Sequence, residues 1–174
     1  MSLFLLFLQV CERRPDLLNI DTNCLLEIED YISLDLKATH KNLFKILEFI
    51  PPTLLVPDKQ HLILERLTSW NGFCVKYNLD PIIILIKVPI VLMFEDHVIF
   101  EERFDELRDY FAVEKDVSTF ITNMPNVLVD FWPSLKAKMD FVIHEMMVSP
   151  KTLSRTKVLE YDLNHIKVIF SCQA

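Results

Sequence analysis

The sequence predicts an all-α fold in which copies of one small helical unit stack into a helical-repeat solenoid, and three observations carry that prediction. A proline, any residue, an aliphatic residue and then leucine recur in "RPDLLNID", "PPTLLVPD", "VPIVLMFED" and "MPNVLVDF", which places Pro15, Pro52, Pro89 and Pro125 at intervals of 37, 37 and 36 residues. Between these turns the apolar residues recur at three- and four-residue spacing, the period of a helix face and not of a strand. Gly72 is the only glycine in the 174 residues, so the turns fall to proline, Asn and Asp. A unit of this length cannot bury its apolar face alone, and a fixed period of this size therefore implies stacked repeats.

The elements follow in order. The opening "MSLFLLFLQVCERRPDLL" holds an apolar run that fits the first helix of the first copy. It lacks the basic leader and small-residue cleavage site of a signal peptide, and with only Arg13 and Arg14 it makes a poor transit peptide. The first helix of the second copy is "HKNLFKILEFI", ending before Pro52. The third copy contains the densest apolar stretch, "PIIILIKVPIVLMFED", residues 81–96. It is too short and interrupted for a membrane span, which takes roughly 20 apolar residues. A central strand is excluded because Pro89 has no N–H for a ladder. The residue before a proline is pushed out of the helical region, so the stretch reads as two helical pieces meeting at Pro89. In the fourth copy "DVSTFITNM" ends before Pro125. Asp80–Pro81 and Ser149–Pro150 each set a capping oxygen ahead of a proline at the first helical position.

After each proline a short turn is expected to bury the aliphatic–leucine pair, with Leu18, Leu55, Leu92 and Leu128 as pegs between helices. Longer second helices are expected near residues 21–34, 58–70, 96–111 and 133–147. In "WPSLKAKMDFVIHEMM" the spacing puts Leu135, Met139, Val142 and Met146 on one face; in "HVIFEERFDELRDYF" it turns Ile99, Phe100, Phe104, Leu107 and Phe111 inward and a charged face outward. A fifth, degenerate copy, "TKVLEYDL", has Thr156 in the proline place and Leu159 in the leucine place.

With 51% hydrophobic residues and no Ser/Gly-rich linker, residues 1–174 read as a single domain of about five repeats. Without Gly-rich phosphate loops the chain does not read as a nucleotide-dependent enzyme, and the remaining chemistry adds no active site. Cys11, Cys24, Cys74 and Cys172 are too far apart for a zinc site and read as free thiols of a reducing compartment. His40, His61, His97, His144 and His165 fall at most one to a repeat and are assigned to helix surfaces or caps. Glu95–Asp96 and Glu101–Glu102 read as a solvated helix face, and Trp70 and Trp132 as packing anchors. No catalytic residue, metal site or cofactor is predicted, and no small-molecule substrate or membrane partner.

The proline, the leucine three residues later and the leucine-rich helix that follows give the unit a resemblance to the mitochondrial transcription termination factor (mTERF) family. The closest part is "MMVSPKTLSRTKVLEYDLNHIK", similar to a late repeat in which a capped short helix leads into a leucine–tyrosine–leucine turn. The resemblance spans roughly residues 4 to 167. It implies a left-handed solenoid curved into a half ring, located in the mitochondrial matrix. Its basic concave side would hold double-stranded DNA or RNA in transcription regulation, or it would act in mitochondrial ribosome assembly. The chain departs from the family in having about five repeats, Thr156 in place of proline, and a tail, "VIFSCQA", without the arginine expected after "HIK"; it reads as a short or truncated member.

Charge decides where such a contact would lie. The chain carries a net charge of −7, whereas nucleic-acid affinity draws on neutralised phosphates. Residues 1–130 hold 12 basic and 21 acidic side chains, and residues 131–174 hold 6 basic and 4 acidic. The candidate nucleic-acid-binding residues are therefore Lys136, Lys138, Lys151, Arg155 and Lys157, near helix starts that also favour anions. The alternative is a protein-interaction solenoid whose acidic faces, Glu95 to Asp116 above all, meet a basic partner such as an RNA-modifying enzyme or a ribosomal protein.

Overall fold

A computed structural model of the chain describes residues 3–94 and 97–171, and every regular element among them is helical. The chain forms two compact units, residues 1–97 and 98–174. In the first, α1 (Leu3–Arg13), α3 (His40–Phe49) and α5 (Pro81–Lys87) are the helices that precede repeat prolines, and α2 (Thr22–Asp30) and α4 (His61–Lys76) are second helices. Here α1 packs on α3, α3 on α5, and α2 on α4, so like stacks on like. The second unit holds α6 (Val98–Arg108), α7 (Glu114–Asn123), α8 (Trp132–Asp140), the short α9 (Pro150–Leu153) and α10 (Leu163–Ser171).

Each repeat proline opens a 3₁₀ turn: Pro15–Asn19, Pro52–Leu54, Pro89–Met93 and Pro125–Leu128. Proline fits there because its fixed φ matches the turn and its missing N–H would have had no partner. The residue ahead is forced from the helical region in all four. Arg14, Val88 and Met124 share nearly one conformation, with φ −134, −136 and −128° and ψ 74, 66 and 66°. The fourth, Pro51, sits at φ −57° and ψ 131°, since its own ring forbids the other φ. Asp80 caps α5 through Ile82 and Ile83 N–H, and Ser149 caps α9 through Thr152 N–H.

The turn leucines Leu55, Leu92 and Leu128 are buried, but Leu18 is 64% exposed and Leu17 takes its place in the core. Successive residues of a 3₁₀ turn point about 120° apart, so both are covered only where protein lies on two sides. Around Pro15–Asn19 it lies on the Leu17 side. In α4 the core stripe is Ile63, Leu67, Trp70 and Cys74; in α6 and just beyond it is Phe100, Phe104, Leu107 and Phe111, each 37 residues later. Ile99, expected inward, is exposed because it lies one residue off that stripe, and the neighbour that is buried instead is Arg103. On α8 and its extension Leu135, Met139 and Val142 are buried, while Met146 is half-buried.

Two second helices end alike. α2 continues into a wide turn, Tyr31–Asp35, and α8 into another, Phe141–Glu145; the starts lie 110 residues apart, the separation of Pro15 from Pro125. Left-handed residues follow at Lys37 and Met147, with φ 53 and 56°, and at Asn78 after α4 with φ 52°. Each stands two residues before the next helix's cap position, Thr39, Asp80 and Ser149, so one backbone device reverses the chain three times.

Two substitutions test this packing. Leu92→Ala should lower stability by about 2–5 kcal/mol, while Leu18→Ala should change it by less than about 0.5 kcal/mol; equal shifts of their urea midpoints would refute the assignment of turn pegs. An L-residue in the left-handed region costs about 1–2 kcal/mol, and glycine's extra chain entropy about 0.5–1. Met147→Gly should therefore raise the urea midpoint modestly at unchanged slope.

Candidate nucleic-acid interface

The five candidate cations lie in the second unit but not on equal terms. Lys138, on α8, is half-buried and donates from Nζ to the Leu159 carbonyl at 3.1 Å. That bond ties α8 to the 3₁₀ turn of the fifth copy, Val158–Glu160, so Lys138 serves the fold. The segment from α9 to this turn carries Lys151, Arg155 and Lys157, all exposed. It is anchored by the buried Ser154, whose hydroxyl donates to the Lys151 carbonyl at 2.8 Å and whose carbonyl accepts from Asn123 Nδ2 at 2.7 Å. Lys157 Nζ stands 3.7 Å from Glu160, with both side chains exposed, a pairing worth little. These three form the exposed basic segment.

Lys136, also exposed, lies in different company. It lines a cavity of about 420 Å³ between α6 and α8. Glu106, Asp109 and Tyr110 come from α6 and its end, Trp132, Lys136 and Asp140 from α8, and Ile143 and His144 from the wide turn. The Tyr110 hydroxyl donates to Asp140 Oδ1 at 2.8 Å. Burial, and then that bond, pushes the phenol above its ordinary value, so Tyr110 remains a donor at neutral pH. Three carboxylates face one lysine here, a field that repels phosphate.

The pattern that the sequence reading misses is a set of side chains holding turn carbonyls. Arg66 Nη1 donates to Leu92 and Met93 carbonyls at 2.8 and 2.9 Å. Arg103 Nη1 donates to Val127 and Asp130 carbonyls at 2.8 and 3.0 Å. These arginines stand 14 residues after Pro52 and Pro89, so the proline register itself could have found them. Gln60 does the same work from Nε2 on the Asn19 and Leu55 carbonyls, both at 2.9 Å, and accepts Asp21 N–H through Oε1 at 2.8 Å. Arg14 donates to the Glu48 and Ile50 carbonyls at the end of α3 and pairs with Asp16; that pairing holds the Asp16 carboxyl below its usual range.

Arg103 is the most enclosed of these cations, 8% exposed, with its guanidinium 4.5 Å from the Trp132 ring and Nε 3.7 Å from Glu106. Burial lowers its pKa, and the Glu106 and Asp130 charges oppose that. Asp130 is raised by burial, with Lys138 and Arg103 pulling the other way. Trp70 is fully buried and donates to the Pro81 carbonyl at 3.2 Å, while Trp132 is half-buried.

His97 departs from the surface duty expected of it. It is 7% exposed, with Nδ1 2.8 Å from Ser69 Oγ and its ring against Trp70. It stands eight residues after Pro89, as the buried Gln60 does after Pro52, while the same position in the first and fourth copies, Asn23 and Pro133, is exposed. Burial raises the Cys11, Cys24 and Cys74 thiols, which disfavours the reactive thiolate. Glu95, Asp96 and Cys172 lie outside the described residues. Among the described residues no group of His, Cys, Asp and Glu could hold a metal ion, and no helix is long and apolar enough to cross a membrane. The sequence matches no family model and no curated protein.

These roles rank the cations by what their loss does to folding. Arg103→Ala leaves two turn carbonyls without their donor and should cost on the order of 3 kcal/mol. Lys138→Ala, with one bond at a half-exposed site, should cost about 1 kcal/mol, and Lys157→Ala close to nothing. Chemical denaturation of the three variants measures the order; a Lys157 effect equal to that of Arg103 would overturn it.

Proposed function

We propose that the chain is a non-enzymatic double-stranded nucleic-acid-binding protein of the mTERF type, with its repeats stacked as a solenoid, acting in transcription in the mitochondrial matrix. The observation that supports this reading is the recurrence of one proline-led 3₁₀ turn in four copies, the feature on which the resemblance rests. Its contact with phosphate would be the exposed basic segment of Lys151, Arg155 and Lys157; Lys136 is left to the carboxylates around it and Lys138 to its carbonyl. The acidic body opposes such contact, so the binding is weak and steep in salt, and DNA and RNA duplexes share the backbone charge that it reads. The carboxylates around Lys136 favour a second reading, a protein-interaction solenoid that docks a basic partner, an RNA-modifying enzyme or a ribosomal protein.

Titration of a fluorescent duplex at several salt concentrations separates the two. Under the first reading log affinity falls with log salt at about −0.9 per phosphate neutralised. Changing Lys151, Arg155 and Lys157 together to Glu abolishes binding, while reversing Lys41, Lys45 and Lys59 has a smaller effect. Equal loss in both variants would refute the assignment to the C-terminal segment, and no wild-type binding at low salt would refute the first reading altogether.

A further inference from the structure

We propose that the cavity between α6 and α8 is a receptor for an arginine side chain presented by a basic protein segment; this rests on the second reading above and names its site. The space, about 420 Å³, is in the size range of about 300–1,000 Å³ typical of ligand pockets. Its wall combines Asp109 and Asp140, which are acceptors, with Trp132 and Tyr110, which are flat and aromatic. A guanidinium uses both at once, because its fork fits carboxylates and its plane stacks on rings, whereas an ammonium is a point charge that does neither as well. The chain itself shows the preference: Arg103 already lies over the Trp132 ring at 4.5 Å.

Other occupants fit less well. The carboxylates do not form a metal-holding group among the described residues, and a phosphate would meet Asp109 and Asp140 as well as Glu106, which already has Arg103 at 3.7 Å, against Lys136 and His144. Asp140 is preset for the task. Tyr110 donates to its Oδ1, fixing the carboxylate and leaving Oδ2 as the oxygen to accept a guanidinium N–H.

The test uses the full chain and fluorescein-labelled hexa-arginine and hexa-lysine peptides, with anisotropy for affinity and quenching of Trp132 emission for location; Trp70, fully buried, gives the reference signal. The variant Asp109→Asn with Asp140→Asn keeps shape, and the amide that replaces the second carboxylate retains an oxygen for the Tyr110 hydroxyl. The control, Asp58→Asn with Glu65→Gln, removes the same charge from exposed positions in the other unit. We expect hexa-arginine to bind severalfold more tightly than hexa-lysine, to quench Trp132, and to lose at least tenfold in affinity in the cavity variant but not in the control. Equal affinity for the two peptides, or equal loss in both variants, overturns the cavity while leaving a diffuse acidic docking face. Binding of neither peptide overturns both.

Discussion

The structure depends on proline placed at a fixed interval. A proline at the first position of a 3₁₀ turn fixes φ and bars the residue before it from the helical region, so the preceding helix must stop there. The near-identical conformations of Arg14, Val88 and Met124 follow from that single constraint, applied three times. A turn so short leaves carbonyls at its end without intrahelical donors. Those carbonyls are then met from outside the turn by Gln60, Arg66 and Arg103, and Lys138 meets a carbonyl of the fifth copy's turn, which has no proline. The interval between prolines therefore sets both where helices end and where long polar side chains are needed.

The same donors alter the balance of charge. A cation bound to a backbone carbonyl is less available to an external phosphate, and Arg14, Arg66, Arg103 and Lys138 are all held in that way. A chain that already carries seven more acidic than basic groups thus offers fewer cations to a partner than its composition indicates. Counting lysines and arginines along the sequence overstates the basic surface wherever a repeat uses them as internal donors. Lys138 shows the error: proximity in sequence groups it with Lys136, yet its helix turns it toward the Leu159 carbonyl and leaves Lys136 facing three carboxylates.

Much of the helical layout is legible in the sequence because it is local. Proline register, the Asp80 and Ser149 caps and the three-and-four spacing of Phe100, Phe104 and Leu107 depend on neighbours within a turn or two. Leu18, Ile99 and His97 are misread because burial depends on what lies across from a residue, and a pattern shared by copies does not show that each copy has the same neighbour. The left-handed turns at Lys37 and Met147 give no signal, since a left-handed position is normally marked by glycine or Asn and only Asn78 is of that kind. The groove is not legible, because Asp109 falls in the stretch that reads as acidic and Asp140 in the one that reads as basic, and the two are brought together only by the packing of two helices.

Arg103 joins the fold to the groove. Its guanidinium holds the Val127 and Asp130 carbonyls and at the same time lies on the Trp132 ring, so the residue that fixes the turn of the fourth copy also positions one wall of the cavity. Tyr110, which also lines the cavity, is tied to Asp140. A buried charge tolerates displacement poorly because its donors have no water to turn to, and the placement of Trp132 inherits that stiffness. A binding surface built on mobile lysines would have to be ordered by its ligand, with the entropy of that ordering set against affinity. In this groove Trp132 is held by the same carbonyl clamp that the proline turn requires, so a partner of the proposed kind would meet a wall already positioned by the fold.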